Sequence, residues 1–348
     1  MAAGADRLDV LIRRCYAGLG TDELRSEVLH RLRGILTVDA AFFATVDPAT
    51  LLFTSAFADE PLRSATAEFL ADEFGRADVN KFAVLADAAD PVASLDHATK
   101  GDRAASARSV EVMTPLGLGD ELRAALTSGG RCWGVICLHR EDAEAGFSES
   151  DLGVVRRLAP HLAEGLRRSL LVGERQLGSA GPGVIVLDAG LKVVSVSPEA
   201  EYWLTELGDQ EWAAHGELPI AVRTAAVQLR RLGGLPVGKS APVLKLRSRA
   251  GRWLAVHASV LRGEAEQTAV VLEPATSTQL GSMLLDVHGL TPAQQRVAAL
   301  VLRGRSTRQI VDELHLSPHT VQEHVRAAYD KVGVGNRREM IAALLGEN

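Results

Sequence analysis

The sequence predicts an α+β multidomain chain: two mixed α/β domains followed by an all-α module of four helices. Three observations predict it. At 348 residues the chain has room for two or three domains with sizeable cores. In its last sixty residues apolar positions recur at three- and four-residue steps, punctuated by repeated helix-start signals. Ahead of them, β-rich runs flank turn clusters and alternate with helical periods, twice over. The boundaries that follow are 6–171, 176–274, a linker at 275–288 and a helical module at 289–346.

The first domain opens with two helical stripes: Leu8, Leu11, Ile12 and Cys15, then Leu24, Val28, Leu32 and Ile35. "AAFFATVDPATLLFTSAF" is a hairpin, because two β-rich runs flank Asp47-Pro48-Ala49-Thr50. Residues 61–74 are again helical. Asp87 to Arg108, rich in Ala, Asp and Ser without a period, predicts a long loop. The run Glu121–Thr127 fits a strand or a short helix. Ser128-Gly129-Gly130 is a turn, and Cys132 to His139 a buried strand. Ser148 and Asp151 form a capping box for a last helix, with Phe147 placed to staple against Leu152. Its stripe is Leu152, Val155, Ala159, Leu162, Leu166 and Leu170, and Pro160 predicts a kink. This order of elements resembles a GAF domain, and the wording "PLGLGDELRAAL", "CWGVICLHR", "FSESD" and "LAPHLAEGLRR" is similar to the sensor portion of actinobacterial-type LuxR regulators. The resemblance implies a module that binds small molecules, haem or cyclic nucleotides, or that only dimerises. Haem would need a committed histidine, whereas His97, His139 and His161 read as surface or core residues.

The second domain follows a linker, "QLGSAGPG", whose glycines precede a strand and so form no phosphate loop. "GVIVLDAGLKVVSVSP" is two strands about Asp188-Ala189-Gly190. Pro198 opens a helix, and Ile220 to Arg231 is a second. "PVLKLRSRAGRWLAVHASVLRG" is a hairpin about Arg249-Ala250-Gly251, and "QTAVVLEP" a final strand. Two strands, two helices and three strands in one antiparallel sheet resemble a PAS domain, which implies a flavin, haem or metabolite pocket, or dimerisation. None of the three cysteines lies here, so a flavin-reactive thiol is excluded. Trp203, Trp253 and His257 are the candidate pocket residues, with simple core filling as the alternative. The connector 275–288 is polar, then apolar, with helical propensity.

In the terminal module each helix start has its signature. Thr291-Pro292 with Gln294 is a cap, a proline where no amide donor is needed, and a capping-box partner. Ser306 and Gln309 repeat the box, and Ser317-Pro318 repeats the cap and proline. His315-Leu316 is a turn, and Asn336 caps a fourth helix with Glu339 at the box position. The third helix turns Val321, Val325, Ala328 and Val332 inward and His319, Gln322, Glu323 and Arg326 outward. Two short helices about a tight turn, the second with a polar outer face, form helix-turn-helix geometry suited to the DNA major groove. A plain four-helix interaction domain shares the periodicity. The wording "LTPAQQRVAALVLRGRSTRQIVDELHLSPHTVQEHVRAAYDKVGVGNRREMIAALL" resembles the LuxR/NarL-type (GerE) helix-turn-helix family. That resemblance implies base contacts at Gln322, Glu323 and Arg326, phosphate contacts at Ser306, Thr320 and Lys331, and a dimerisation helix from Arg337 to Leu345. The chain departs from the family where Gln294, Arg296 and Gln309 stand in place of Glu, and where Gln322 stands in place of a common Lys. Gln prefers adenine, Glu cytosine and Arg guanine, so Gln322 predicts an altered target.

Charge and composition fit this reading. The stretch 303–338 holds seven Arg or Lys against four Asp or Glu, while the whole chain is −6. A basic module on an acidic carrier suits a nucleic-acid reader. An N-terminus without a signal-peptide core, and no apolar run of membrane length, predict a cytoplasmic protein. Three sparse cysteines give no disulfide framework. Cys132 and Cys137, five apart on one strand, are expected on opposite faces, so no metal site is assigned. No receiver-type acidic pair, nucleotide-binding loop or catalytic triad can be assembled. The expectation is a non-enzymatic, dimeric transcription regulator acting on double-stranded DNA. Its effector and cofactor are unknown, and RNA polymerase is a further candidate partner. The alternatives are a metabolite- or cofactor-binding enzyme, or an adaptor, whose helical C-terminus only dimerises.

Overall fold

The computed structural model describes residues 2–142, 145–172, 180–207, 217–232, 242–263 and 265–345. They fall into two compact units, Met1–Pro274 and Ala275–Asn348. Residues 176–179 of the expected linker between the first two domains lie outside the described residues.

The first unit starts with helices α1 (Ala2–Arg14) and α2 (Thr21–Arg33) and the hairpin β1 (Ala40–Val46) and β2 (Phe53–Ala58). Helices α3 (Thr66–Gly75) and α4 (Phe82–Asp87) follow, then β3 (Val92–Ser94), α5 (Leu95–Thr99), β4 (Leu118–Ser128), β5 (Arg131–Glu141) and α6 (Glu149–Ser169). The strands form one antiparallel sheet in the order β2-β1-β5-β4-β3. Helix α6 lies on one face. Gly134 makes that approach possible, since a Cβ there would stand 2.5 Å from the Leu166 side chain. The other face is roofed by α3 and α4, where Phe42, Phe53, Phe69, Phe74 and Phe82 pack edge to face and tilted.

Several expectations change here. The segment 87–108 is not one loop. Pro91 O and the backbone of β3 pair with β4, and the Ser94 hydroxyl caps α5 by accepting from His97 N at 3.1 Å. Glu121–Thr127 is strand. Helix α6 runs on through Pro160, and its capping box at Ser148 and Asp151 is formed. Cys132 and Cys137 do not face opposite ways. A bulge on β5 pairs Thr127 with Cys132 while Leu126 pairs with Gly134, which returns Cys132 to the face that carries Cys137. Val135 lies between them.

A second antiparallel sheet contains β6 (Gly183–Leu187), β7 (Val193–Val196), β8 (Leu244–Arg247), β9 (Trp253–Leu261) and β10 (Gln267–Pro274), in the order β7-β6-β10-β9-β8. Helices α7 (Pro198–Glu206) and α8 (Ile220–Arg231) cover it, burying Trp203, Leu204, Val222 and Leu229 against Leu254, Val256, Val270 and Leu272. The same α8 also packs on α3 and β2, so the two sheets share one apolar core. The β1–β2 turn fastens the junction: the carboxylate of buried Asp47 accepts from Lys245 N at 2.8 Å and lies 3.5 Å from its ammonium.

Among the described residues the second unit contains five helices: α9 (Ser277–Val287), α10 (Pro292–Leu302), α11 (Thr307–Leu314), α12 (Pro318–Val332) and α13 (Arg337–Leu345). The segment 275–288, expected as a linker, is α9 with its own capping box at Thr276 and Gln279. It packs on α13 and α10 because Leu280, Met283, Leu284 and Val287 form a buried stripe. The boxes at Thr291 and Ser306 and the Ser317 cap are all present. His315 takes a left-handed conformation, φ 54°, at the turn between α11 and α12.

Candidate nucleic-acid interface and a buried charged cluster

Helix α12 buries Val321 and Ala328 against the module and holds Gln322, Glu323 and Arg326 exposed on its outer face. Arg326 lies four residues from Gln322 and three from Glu323, the spacings that bring helical side chains onto one face. Among the described residues, Gln322 and Arg326 make no side-chain hydrogen bond or ion pair, so their polar groups are available. Glu323 Oε1 lies 3.4 Å from His319 Nε2 one turn back, on an exposed surface.

The expected phosphate contacts are already engaged. Ser306 serves the capping box: Gln309 Oε1 accepts from its amide at 2.8 Å and from its hydroxyl at 3.2 Å. Thr320 Oγ1 lies 2.9 Å from the Ser317 hydroxyl. The Lys331 ammonium donates to Gly289 O at 2.8 Å and Gln294 Oε1 at 2.9 Å, tying the end of α12 to the start of α10. Arg337, placed by sequence at the dimerisation helix, donates to Arg305 O at 2.8 Å and Val301 O at 2.6 Å. The Met340 and Leu344 side chains of α13 are buried.

The pocket residues of the second domain are not brought together. Trp203 is fully buried among the helices, its Nε1 donating to Gly181 O at 2.9 Å. Leu254 and Val256 point from β9 into that core, so strand alternation sends Trp253 and His257 to the opposite face. There His257 Nε2 meets Glu273 Oε1 at 2.9 Å.

Sequence reasoning missed a charged cluster under the roof of the first sheet. Arg108 sits at its centre, 1% exposed, and holds Glu121 Oε2 through Nε at 2.9 Å and Nη2 at 2.8 Å. It also lies 3.4 Å from Asp72 and 3.8 Å from Asp78. Lys81 pairs with Asp72, and Arg123 donates to Glu73 at 2.7 Å. The Arg123 guanidinium lies 4.5 Å from the centre of the Phe82 ring. The β4–β5 register sets Glu121 opposite His139 and Arg123 opposite Cys137 on one face. Burial would raise the Glu121 carboxyl, but Arg108 and Arg123 outweigh it and hold the group well below the usual range. Burial pushes His139 down to about 4, leaving a neutral imidazole at neutral pH, and pushes the Cys137 thiol well above its ordinary value. The signal available in sequence was the i, i+2 pair Glu121 and Arg123, which alternation places on one face of a strand running into Ala124, Ala125 and Leu126.

Comparison with known proteins bears on both units. Residues 288–344 match the family model for bacterial regulatory proteins of the luxR family. Over 56 residues the chain is 34% identical to the spore germination protein GerE of Bacillus subtilis, covering 76% of that protein and 16% of this chain. The chain belongs to the luxR family. Residues 21–166 match the GAF domain model, so this luxR-family regulator carries a GAF domain ahead of its DNA-binding module. Among solved structures, the GAF domain of an Acinetobacter phosphoenolpyruvate-protein phosphotransferase is 14% identical, with 50% of this chain and 98% of that one covered and a TM-score of 0.36. Escherichia coli SdiA is 12% identical over 97% and 96% of the two chains, with a TM-score of 0.34. A Vibrio VqmA–ligand–DNA complex is 18% identical over 49% and 83%, with a TM-score of 0.26. Among the described residues no helix is long and apolar enough to cross a membrane.

Proposed function

We propose that this luxR-family chain is a dimeric, sequence-specific transcription regulator whose DNA affinity is set by a signal received in the first unit. The observation that carries the reading is α12. Its outer face offers Gln322, Glu323 and Arg326 in one exposed row, while the residues beneath them are spent on packing. Glutamine, glutamate and arginine are the side chains that distinguish adenine, cytosine and guanine edges in the major groove. One such helix reads half a site, so two chains on a dyad-symmetric duplex give a complete one.

The phosphate contacts take a more specific form than sequence suggested. Ser306 and Thr320 stand at helix N-termini, where backbone amides and partial positive charge favour an anion. Lys331 holds the geometry of the module, and any phosphate contact it makes must compete with Gly289 and Gln294. The second domain is read as PAS-like. Support comes from its element order among the described residues, two strands, two helices and three strands, in a single antiparallel sheet.

Selection of the full-length protein on random duplex DNA, at near-physiological salt and with or without a small-molecule cell extract, tests the reading. Enrichment of a palindrome that Arg326→Ala abolishes supports it. Enrichment only with extract adds effector control. Failure to enrich in both conditions sinks it.

A further inference from the structure

The charged cluster of the GAF domain contains a feature that DNA reading does not use. Three different donor atoms converge there: a Glu121 carboxylate oxygen, the Cys137 sulfur and a His139 ring nitrogen, all within 4.8 Å of one another and all buried. We propose that Glu121, Cys137 and His139 form a three-ligand site for a borderline divalent transition-metal ion, such as Zn²⁺, with one coordination position left open.

Four observations carry this. The first is the polar accounting. His139 is 2% exposed, yet among the described residues neither of its ring nitrogens has a hydrogen-bond partner. A buried polar group left without a hydrogen bond keeps its desolvation penalty uncompensated, so such groups are rare and ask for a reason. Glu121 shows the same asymmetry. Its Oε2 is gripped by Arg108, while Oε1 has no hydrogen bond, standing 2.9 Å from Arg123 Nε in an ion contact and 3.7 Å from His139 Nε2.

The second is rigidity. Glu121 and His139 are direct cross-strand partners in the middle of the antiparallel sheet, and Cys137 is two residues from His139 on the same face. The donors are therefore fixed by strand register rather than by a loop. Bonds of about 2.0–2.3 Å to nitrogen, oxygen and sulfur place ligand atoms roughly 3.3–3.8 Å apart around a tetrahedral ion. Side-chain rotation of about an ångström closes the observed spacing to that.

The third is donor chemistry. Carboxylate, imidazole and thiolate together suit zinc or a similar borderline ion and not the hard cations magnesium or calcium, which take oxygen ligands alone.

The fourth is charge. The buried cluster holds four carboxylates, Asp72, Glu73, Asp78 and Glu121, against three cations, Lys81, Arg108 and Arg123. Its net charge is −1, with the half-exposed Arg76 pairing Asp72 from outside at 3.0 Å. A divalent ion with a Cys137 thiolate adds one positive charge and makes the buried cluster neutral. The thiol proton leaves to solvent as the sulfur–metal bond forms.

The test uses full-length protein produced in medium supplemented with Co²⁺, because a buried site fills most readily as the chain folds. After exhaustive dialysis, metal content and the optical spectrum are measured. The site predicts one cobalt per chain, a thiolate-to-cobalt charge-transfer band and visible d–d bands of tetrahedral intensity. Cys137→Ser should remove the charge-transfer band, and His139→Gln should lower retention by about tenfold or more. Cys132→Ser and Cys15→Ser should change neither. Wild-type protein that is folded but retains no cobalt overturns the proposal without reference to any variant. A band that survives Cys137→Ser, or that is lost in Cys132→Ser, overturns it too, since another thiol would then be the ligand.

Discussion

At the scale of single residues, the structure separates exposed, unengaged side chains of α12 from side chains that hold the module together. Arg326 is exposed and unengaged, so Arg326→Ala should leave the melting temperature unchanged while lowering discrimination at one base position by about 1–3 kcal/mol. Competition binding on matched and single-mismatch duplexes measures it. Lys331 is the contrasting case. Its two hydrogen bonds join α12 to the start of α10. Lys331→Ala should therefore destabilise the module by about 0.5–1.5 kcal/mol in urea unfolding and weaken all duplexes alike. If stability is untouched and only the salt dependence of binding changes, Lys331 acts on phosphate and not on the fold. Arg108 shows the same logic without water. Removing it as Arg108→Met leaves Glu121 and Asp72 ionised and buried, which should cost about 3–5 kcal/mol.

At the scale of elements, what the sequence disclosed was local. The capping boxes at Ser148, Thr291 and Ser306, the Ser317 cap and the hairpins about Asp47 and Gly251 each depend on residues within four of one another, so pattern alone placed them. What pattern hid was distant. The strand β3 exists only because β4, thirty residues on, pairs with it. The β5 bulge depends on the register of a neighbouring strand, and it reverses the facing of Cys132. The ionic cluster draws on α3, α4, β4, β5 and the segment around Arg108, so no window of sequence contains it. The exposed polar face of α12 was legible because it lies on one helix. The pocket assigned to Trp203, Trp253 and His257 failed because the pleat of β9 divides it. The end of α6 gives a pH test. There the Arg167 hydrogen bond, aided by Arg168, lowers the Glu164 carboxyl to about 2 from 4.5. A depressed carboxylate stabilises the fold above its unfolded value and loses that contribution as pH falls through its folded value. Wild type should exceed Glu164→Gln at neutral pH by about 0.5–1 kcal/mol, given the solvent exposure of the pair. The gap should close between about pH 4.5 and 2.

At the scale of the whole molecule, the first unit should behave as one cooperative body although it holds two sheets. Helix α8 belongs by sequence to the second sheet, yet its apolar face also covers α3 and β2 of the GAF domain. Each half therefore buries part of its apolar surface against the other. Asp47 adds a polar fastening: it lies in the β1–β2 turn with no exposed surface, and it accepts the amide of Lys245 two hundred residues away. Helix α3 of the GAF roof packs directly on α8, so a change in the roof reaches α8 by contact. Calorimetry of residues 1–274 should show a single transition whose calorimetric and van't Hoff enthalpies agree. Asp47→Ala leaves the Lys245 amide without its partner and should lower the temperature of that one transition without dividing it. If the scan divides into two steps in wild-type protein, the shared core does not couple the halves, and the route from GAF roof to α8 fails with it.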